Sequence, residues 1–347
     1  MKVLILGGTG AIGLYLVQIL VNKGILTFIT SRKCHKSDNN IQYIQGDAHD
    51  INFLKRILKI NEWDAIVDFM VYNTKTFKER VDILLTNTKQ YIFLSSARVY
   101  AYFKKPIIET SPRLLDISDD KNYLKTDEYA LSKARQEDVL KNSVYKNYTI
   151  IRPYITYSEN RLQLGVLEKE EWLYRALHDK TIVLTSDIME VTTTLTCGLD
   201  VAKGIVSIIG RNNTLGECFH ITDSKSIKWH DVLNIYMSVL EKHIGYKPKI
   251  LLLKLSKYEL TYQIIYDRLF DRCFDNSKIA QYIDINDFVK IEEGINTCLK
   301  DFIKNPQFKK INWRQQAKMD KICNEKTSLS EIQGIKQKIK YLLFRYY

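Results

Sequence analysis

The chain has 347 residues, of which 45% are hydrophobic and 11% aromatic, so it can bury a sizeable core and is not a disordered polymer. No apolar run reaches the roughly 20 residues of a membrane-spanning helix; the six cysteines form no CxxC pair, which argues against a metal or dithiol centre and for scattered reduced thiols in a cytoplasmic protein. The formal charge of +12 suits anionic partners such as nucleotides, RNA or an acidic membrane surface.

In chain order, residues 3–6 predict a first β-strand, because the apolar run breaks at glycine too early for a secretory signal. A helix is expected over 11–22 and a second strand over 26–30. A strand at 41–44 leads to a helix near 51–59, and a strand at 65–69 to a helix near 75–85. A strand at 91–94 leads, after a polar insertion, to a helix over 127–141 and a sixth strand at 148–151. Such alternation builds a parallel sheet covered on both faces, with ligands outside the carboxyl ends of its strands. The expected fold is α/β: a Rossmann-type doubly wound sheet over 1–155, with return segments near 192–222. Beyond Pro153 the pattern loosens. Helices are expected over 168–178, over 200–209 with Asp200 as N-cap, and over 227–242, with a short strand at 218–221. Residues 156–347 read as a smaller substrate-binding lobe ending in a basic tail.

The turn Gly7-Gly8-Thr9-Gly10-Ala11-Ile12-Gly13 follows the first strand and opens the first helix. Gly7 permits a tight turn, Gly10 lets the backbone approach a pyrophosphate, and Gly13 lets the helix pack closely on the strand. Gly7, Thr9, Gly10, Ala11, Ile12 and Gly13 are therefore expected to hold a dinucleotide against the positive helix end. At the end of the second strand an acidic residue would select NAD. The chain has Ser31 and Arg32 there, a hydroxyl and a cation that suit a 2′-phosphate, so NADP(H) is expected, with NAD(H) the second option. The competing reading makes Arg32 and Lys33 a solvated loop. Asp47 is expected near the adenine. No metal site is expected.

The fifth strand ends in Ser95-Ser96-Ala97-Arg98-Val99-Tyr100, the following helix carries Tyr129-Ala-Leu-Ser-Lys133, and the sixth strand ends in Arg152-Pro153. A second YxxxK match, Tyr100 and Lys104, follows a strand end and should not share a face, whereas Tyr129 and Lys133 lie one helical turn apart. In this order the motifs resemble the extended short-chain dehydrogenase/reductases, the NAD-dependent epimerase/dehydratase family of nucleotide-sugar enzymes. The resemblance fades after Asp200-Val-Ala and Phe219-His-Ile-Thr. It implies that Tyr129 is the acid/base, that Lys133 supports it and binds the nicotinamide ribose, and that Ser96 holds the reacting sugar oxygen. Tyr129, Lys133 and Pro153 would also line the cofactor. A free tyrosine, with its pKa near ~10, is a poor base at neutral pH, so a neighbouring ammonium is what the chemistry asks for.

The dehydratases resembled here carry an Asp-Glu pair directly after the Ser/Thr; this chain has Ala97-Arg98, so water elimination is not expected. The expected reaction is epimerisation of a nucleotide sugar through a keto intermediate, in the setting of polysaccharide biosynthesis. The alternative is an NADPH-dependent ketosugar reductase. A reading from another class is RNA binding, since the opening half also resembles the chloroplast stem-loop RNA-binding proteins. The apparently complete Ser96, Tyr129 and Lys133 set favours the enzyme.

The resemblance further implies a homodimer through the helices near 75–85 and 127–141, the first showing Phe77, Val81, Leu84 and Leu85 as a stripe. In the tail, Ile339, Leu342, Leu343 and Tyr346 are expected on one helix side with Lys338, Lys340 and Arg345 flanking. That pattern fits either packing on the lobe or contact with a membrane surface.

Overall fold

The computed structural model describes residues 1–346; the tail residue Tyr347 lies outside the described residues. The chain divides into two compact units: residues 1–158, 194–226 and 272–291 form the first, and 159–193, 227–271 and 292–347 the second.

The first unit is built on a seven-stranded parallel sheet. Its strands are β1 (Lys2–Leu6), β2 (Leu26–Ser31), β3 (Ile41–Gln45), β4 (Ala65–Asp68), β5 (Tyr91–Leu94), β6 (Tyr148–Pro153) and β7 (Cys218–Ile221), in the spatial order β7-β6-β5-β4-β1-β2-β3. The helices that flank it include α1 (Gly13–Asn22), α2 (Ile51–Leu58), α3 (Thr74–Lys78), α4 (Val81–Leu85), α5 (Tyr129–Asn142) and α6 (Gly198–Ile208). The central strands β1, β4 and β5 are apolar almost throughout because both faces are covered, whereas the edge strand β3 is only partly buried. Their period of two divides the core: Val3 and Ile5 join Leu16, Val17 and Leu20 of α1 and Val201 and Ile205 of α6. Leu4 and Leu6 join Phe53, Leu54 and Ile57 of α2, and Phe93 and Leu140.

Several expectations shift. The helix expected over 75–85 is two short helices, α3 and α4, interrupted where Arg80 leaves helical geometry at φ −126° and ψ −15°. Its Nε donates to the Thr76 carbonyl at 2.8 Å, and its guanidinium lies over the Tyr72 ring. Phe77, Val81, Leu84 and Leu85 are buried within the chain's own core, so this stripe offers nothing to a second subunit. Asp200 is not an N-cap. Helix α6 begins two residues earlier, after Cys197, with no capping side chain. The Asp200 carboxylate instead accepts from the Val289 N–H at 2.8 Å and from Lys203 at 2.9 Å.

The second unit is mainly helical. It contains the helices Trp172–Leu177, Trp229–Ile244, Trp313–Cys323 and Ile335–Tyr346, all but the first residue of Ile291–Lys304, and the parallel pair Ile182–Thr185 with Ile250–Leu253. The expected helix over 227–242 thus starts later, because Ile227 and Lys228 pair as a strand with Thr193 and Thr192. A buried ionic cluster ties the unit together: Arg175 donates to Asp320 at 2.8 Å and Lys180 to Asp320 at 2.9 Å, while Arg175 also meets Glu325 at 2.7 Å. Among the described residues no helix is long and apolar enough to cross a membrane.

Candidate active site

The glycine turn stands at the carboxyl end of β1. Gly7 has φ +77°, a left-handed conformation that side chains rarely tolerate. A Cβ on Gly13 would lie 2.5 Å from the Gly8 carbonyl oxygen, so α1 can approach the turn only through glycine. A Cβ on Gly10 would meet nothing within 4 Å, and Thr9 and Gly10 are exposed. No side chain caps α1 at Ile12, which leaves its first N–H groups and the positive end of its dipole open to an anion. An open left-handed turn before an uncapped helix, with Ala11, Ile12 and Gly13 at its start, fits a dinucleotide pyrophosphate.

Behind the turn, buried Thr30 accepts the Gly7 N–H at 3.1 Å. Ser31 closes β2 and its hydroxyl accepts the Lys33 N–H at 3.1 Å; Arg32 and Lys33 are exposed. Asp47 follows β3, also exposed, its carboxylate fixed by the His49 N–H at 2.9 Å. Pro153 closes β6, in register with Ile221 of β7.

Three contacts clip the end of β5 to α5. Lys133 Nζ donates to the Leu94 carbonyl at 2.6 Å and lies 4.5 Å from the centre of the Phe93 ring. Ser95 Oγ donates to Glu137 at 2.6 Å. Arg98 donates to Glu128 at 2.7 Å, and Glu128 in turn caps the helix by accepting the Ala130 N–H at 2.8 Å. Between these clips, Ser96 is buried and accepts the Arg98 N–H at 3.2 Å. Tyr129, the first residue of α5, is 37% exposed, with the Arg98 guanidinium 5.3 Å from its ring centre.

The helix thus presents one exposed phenol and, a turn later, one buried ammonium. Burial pushes Lys133 down to about 8, against the opposing pull of Asp68 and Glu137. Glu137 feels the same burial, which by itself would raise its pKa. The Arg152 guanidinium, bound at 2.8 and 2.6 Å, and the Ser95 hydroxyl outweigh it and hold the carboxyl below its ordinary range.

The competing Tyr100 and Lys104 are not brought together. Tyr100 is buried, its hydroxyl 3.2 Å from His220 Nδ1, while Lys104 is exposed.

Asp68 was not anticipated. It ends β4 fully buried and accepts from the Tyr91 hydroxyl at 2.8 Å, the Met70 N–H at 2.9 Å and the Tyr72 hydroxyl at 3.4 Å. Burial raises its carboxyl above the ordinary value, against those hydrogen bonds and the Lys133 charge. The signal was present: a carboxylate closing the apolar strand Ala65-Ile-Val-Asp68 must find partners or stay protonated.

Residues 3–219 match the model of the NAD dependent epimerase/dehydratase family. A similar curated protein is the chloroplast stem-loop binding protein of 41 kDa b from Arabidopsis thaliana, 29% identical over 65% of this chain and 60% of the relative. The UDP-glucose 4-epimerase of Lactobacillus helveticus is 31% identical over 32% of this chain and 41% of that protein. The chain therefore spans less than two thirds of either relative. Among solved structures, the UDP-glucuronic acid 4-epimerase of Bacillus cereus, in complex with UDP-glucuronic acid and NAD, shares the fold with a TM-score of 0.63. It is 18% identical, and the match covers 87% of this chain and 100% of that one.

Proposed function

The chain belongs to the NAD dependent epimerase/dehydratase family, and from that premise we propose that it is a nucleotide-sugar epimerase acting through a transient keto-sugar, with Tyr129 as its acid/base. The observation that carries this reading is the exposed Tyr129 phenol one turn from the buried Lys133 ammonium, which is anchored to Leu94 at the carboxyl end of β5. That is the end of the sheet at which the glycine turn leaves β1.

A bound nicotinamide dinucleotide would supply the hydride acceptor and donor. The chain's residues do the rest. The turn from Gly7 to Gly13 holds the pyrophosphate with backbone N–H groups. Ser31 and Arg32 would meet the adenosine ribose, Asp47 the adenine, and Pro153 the nicotinamide end. Lys133, anchored to the Leu94 carbonyl, would bind the nicotinamide ribose. Ser96 holds the reacting sugar hydroxyl while Tyr129 takes its proton, and Tyr129 returns that proton after the keto-sugar has turned over. Ala97 and Arg98 offer no carboxylates for water elimination, which supports epimerisation over dehydration.

Two other readings have specific support. The Ser31-Arg32 strand end favours a 2′-phosphate and hence NADP(H), which would suit a ketosugar reductase; the similar epimerase structure holds NAD. The likeness to a stem-loop binding protein, with the charge of +12, supports RNA binding. A homodimer and a role in polysaccharide biosynthesis complete the proposal on the resemblance alone, a cytoplasmic setting on the six scattered cysteines, and light scattering tests the dimer.

The deciding experiment incubates the protein with a panel of nucleotide sugars and keto-sugars, following nicotinamide absorbance and product stereochemistry together. Inversion without net absorbance change supports the epimerase, and stoichiometric loss of NADPH absorbance the reductase. No turnover, with RNA affinity that falls steeply with salt, rejects both. Calorimetry with NAD(H) and NADP(H) tests the cofactor reading: NADP(H) binds more tightly, and Arg32→Ala removes most of the preference. Equal affinities for the intact protein reject it.

A further inference from the structure

The helix Ile335–Tyr346 has two unlike faces. The inner face belongs to the second unit. Tyr341 and Arg345 are buried. The Tyr341 hydroxyl donates to Asp320 at 2.7 Å and accepts the Thr327 N–H at 2.8 Å. Arg345 donates to the Glu325 carbonyl at 2.8 Å, so it does not flank the outer stripe as its spacing suggested. Phe344 lies beneath the Arg314 guanidinium, 4.6 Å away.

The outer face carries Ile335, Ile339, Leu342, Leu343 and Tyr346, which are 76%, 52%, 37%, 52% and 52% exposed. With 3.6 residues per turn, these five side chains share an arc of about 100°. Lys336 and Lys340 border the arc on one side and Lys338 on the other. Scattered exposed apolar residues are ordinary, but a contiguous stripe rimmed by cations marks a contact surface. The buried face already fixes the helix in place, so the stripe is not needed for folding.

We propose that this stripe seats the protein on an anionic lipid surface. The helix lies in the interface plane, its apolar side chains at the headgroup–acyl boundary and its lysines against the lipid phosphates. Charge selects this occupant. The helix contains no Asp or Glu, and residues 300–347 hold twelve Lys or Arg against four Asp or Glu. Two copies meeting through the stripe would set Lys336, Lys338 and Lys340 against their own images, with no carboxylate in the helix to offset them. An anionic bilayer supplies that missing charge.

The test sediments the full chain with phosphatidylcholine vesicles, with and without phosphatidylglycerol, at low and high salt. Two variants are compared. Leu342→Glu/Leu343→Glu alters exposed side chains and spares Tyr341 and Arg345, and Lys336→Glu/Lys340→Glu reverses one flank. The wild type binds phosphatidylglycerol vesicles at low salt and releases as salt screens the charges. The leucine variant partitions at least about tenfold more weakly with an unchanged melting temperature, and the lysine variant loses the salt-sensitive part. Absence of binding at low salt overturns the proposal, as does binding that survives both variants. So does light scattering that shows a lipid-free dimer converted to monomer by the leucine variant, which assigns the face to a second copy.

Discussion

Glu137 is where the candidate site is most exposed to a single change. Its carboxylate accepts four hydrogen bonds: Ser95 at 2.6 Å and Arg152 Nε at 2.8 Å on one oxygen, Arg152 at 2.6 Å and Arg113 at 3.3 Å on the other. Glu137 and Arg152 are both fully buried. Glu137→Gln keeps the shape but turns one acceptor oxygen into an NH₂ group facing two guanidinium donors, and it leaves Arg152 without its counter-charge. Breaking a buried pair in this way costs about 3–5 kcal/mol, equivalent to a fall in Tm of about 10 °C for a unit of this size. The pH dependence follows from the lowered Glu137 pKa. A carboxyl depressed in the folded state contributes stability above its unfolded value, and that contribution is lost as pH falls through the folded one. The gap between wild type and variant is therefore full at neutral pH and closes in acid. Urea titrations followed by circular dichroism, at neutral and acidic pH, measure it. Replacing both Glu137 and Arg152 by Met should do less damage than Glu137→Gln alone, because no charge is stranded. A Glu137→Gln loss below about 1 kcal/mol at neutral pH, within the range of an ordinary neutral hydrogen bond, refutes the reasoning.

Tyr129→Phe abolishes turnover while circular dichroism and cofactor affinity stay unchanged, since only an exposed hydroxyl is removed. Tyr100→Phe keeps most of the activity and costs about 1 kcal/mol in denaturant titration through the lost His220 contact; the opposite pattern would show that the wrong tyrosine has been chosen. Lys133, depressed from 10.5 to about 8 by burial, holds fewer protons folded than unfolded across that window. The wild type therefore gains stability relative to Lys133→Met as pH rises from about 8 to 10.5, by up to about 3 kcal/mol. Turnover that needs the ammonium declines above pH 8 over the same range, and a flat pH–rate profile there would contradict it.

The parts of the chain legible in the sequence are those governed by local rules. The apolar β1 followed by Gly7, Gly10 and Gly13 leaves few alternatives to a strand, a turn and a helix. The one-turn spacing of Tyr129 and Lys133 on a helix separates them from Tyr100 and Lys104, which follow a strand end. What was hidden depends on distant partners. Nothing local marks the break between α3 and α4, because it comes with Arg80 reaching the Ala48 carbonyl, not with glycine or proline. Asp200 looked like a cap because its partner, Val289, lies 89 residues away. The segment 272–291 carried no motif, yet it belongs to the first unit: Arg272 donates to the Tyr100 and Ala101 carbonyls, and Phe274 bridges to Ile107. Asp68 escaped notice because its significance lies in Tyr91, Tyr72 and Lys133, which arrive from three other elements.

The central claim, that Tyr129 drives inversion of a sugar carbon through a keto intermediate, is tested most directly by running the reaction in deuterium oxide. The nucleotide sugar that turns over is recovered and its product epimer examined by proton NMR. The account predicts an inverted carbon that keeps its original hydrogen, because the hydride that leaves the carbon returns to it without meeting solvent, and it predicts no product with Tyr129→Phe. Deuterium at the inverted carbon, or equal conversion by the Tyr129→Phe variant, would contradict it.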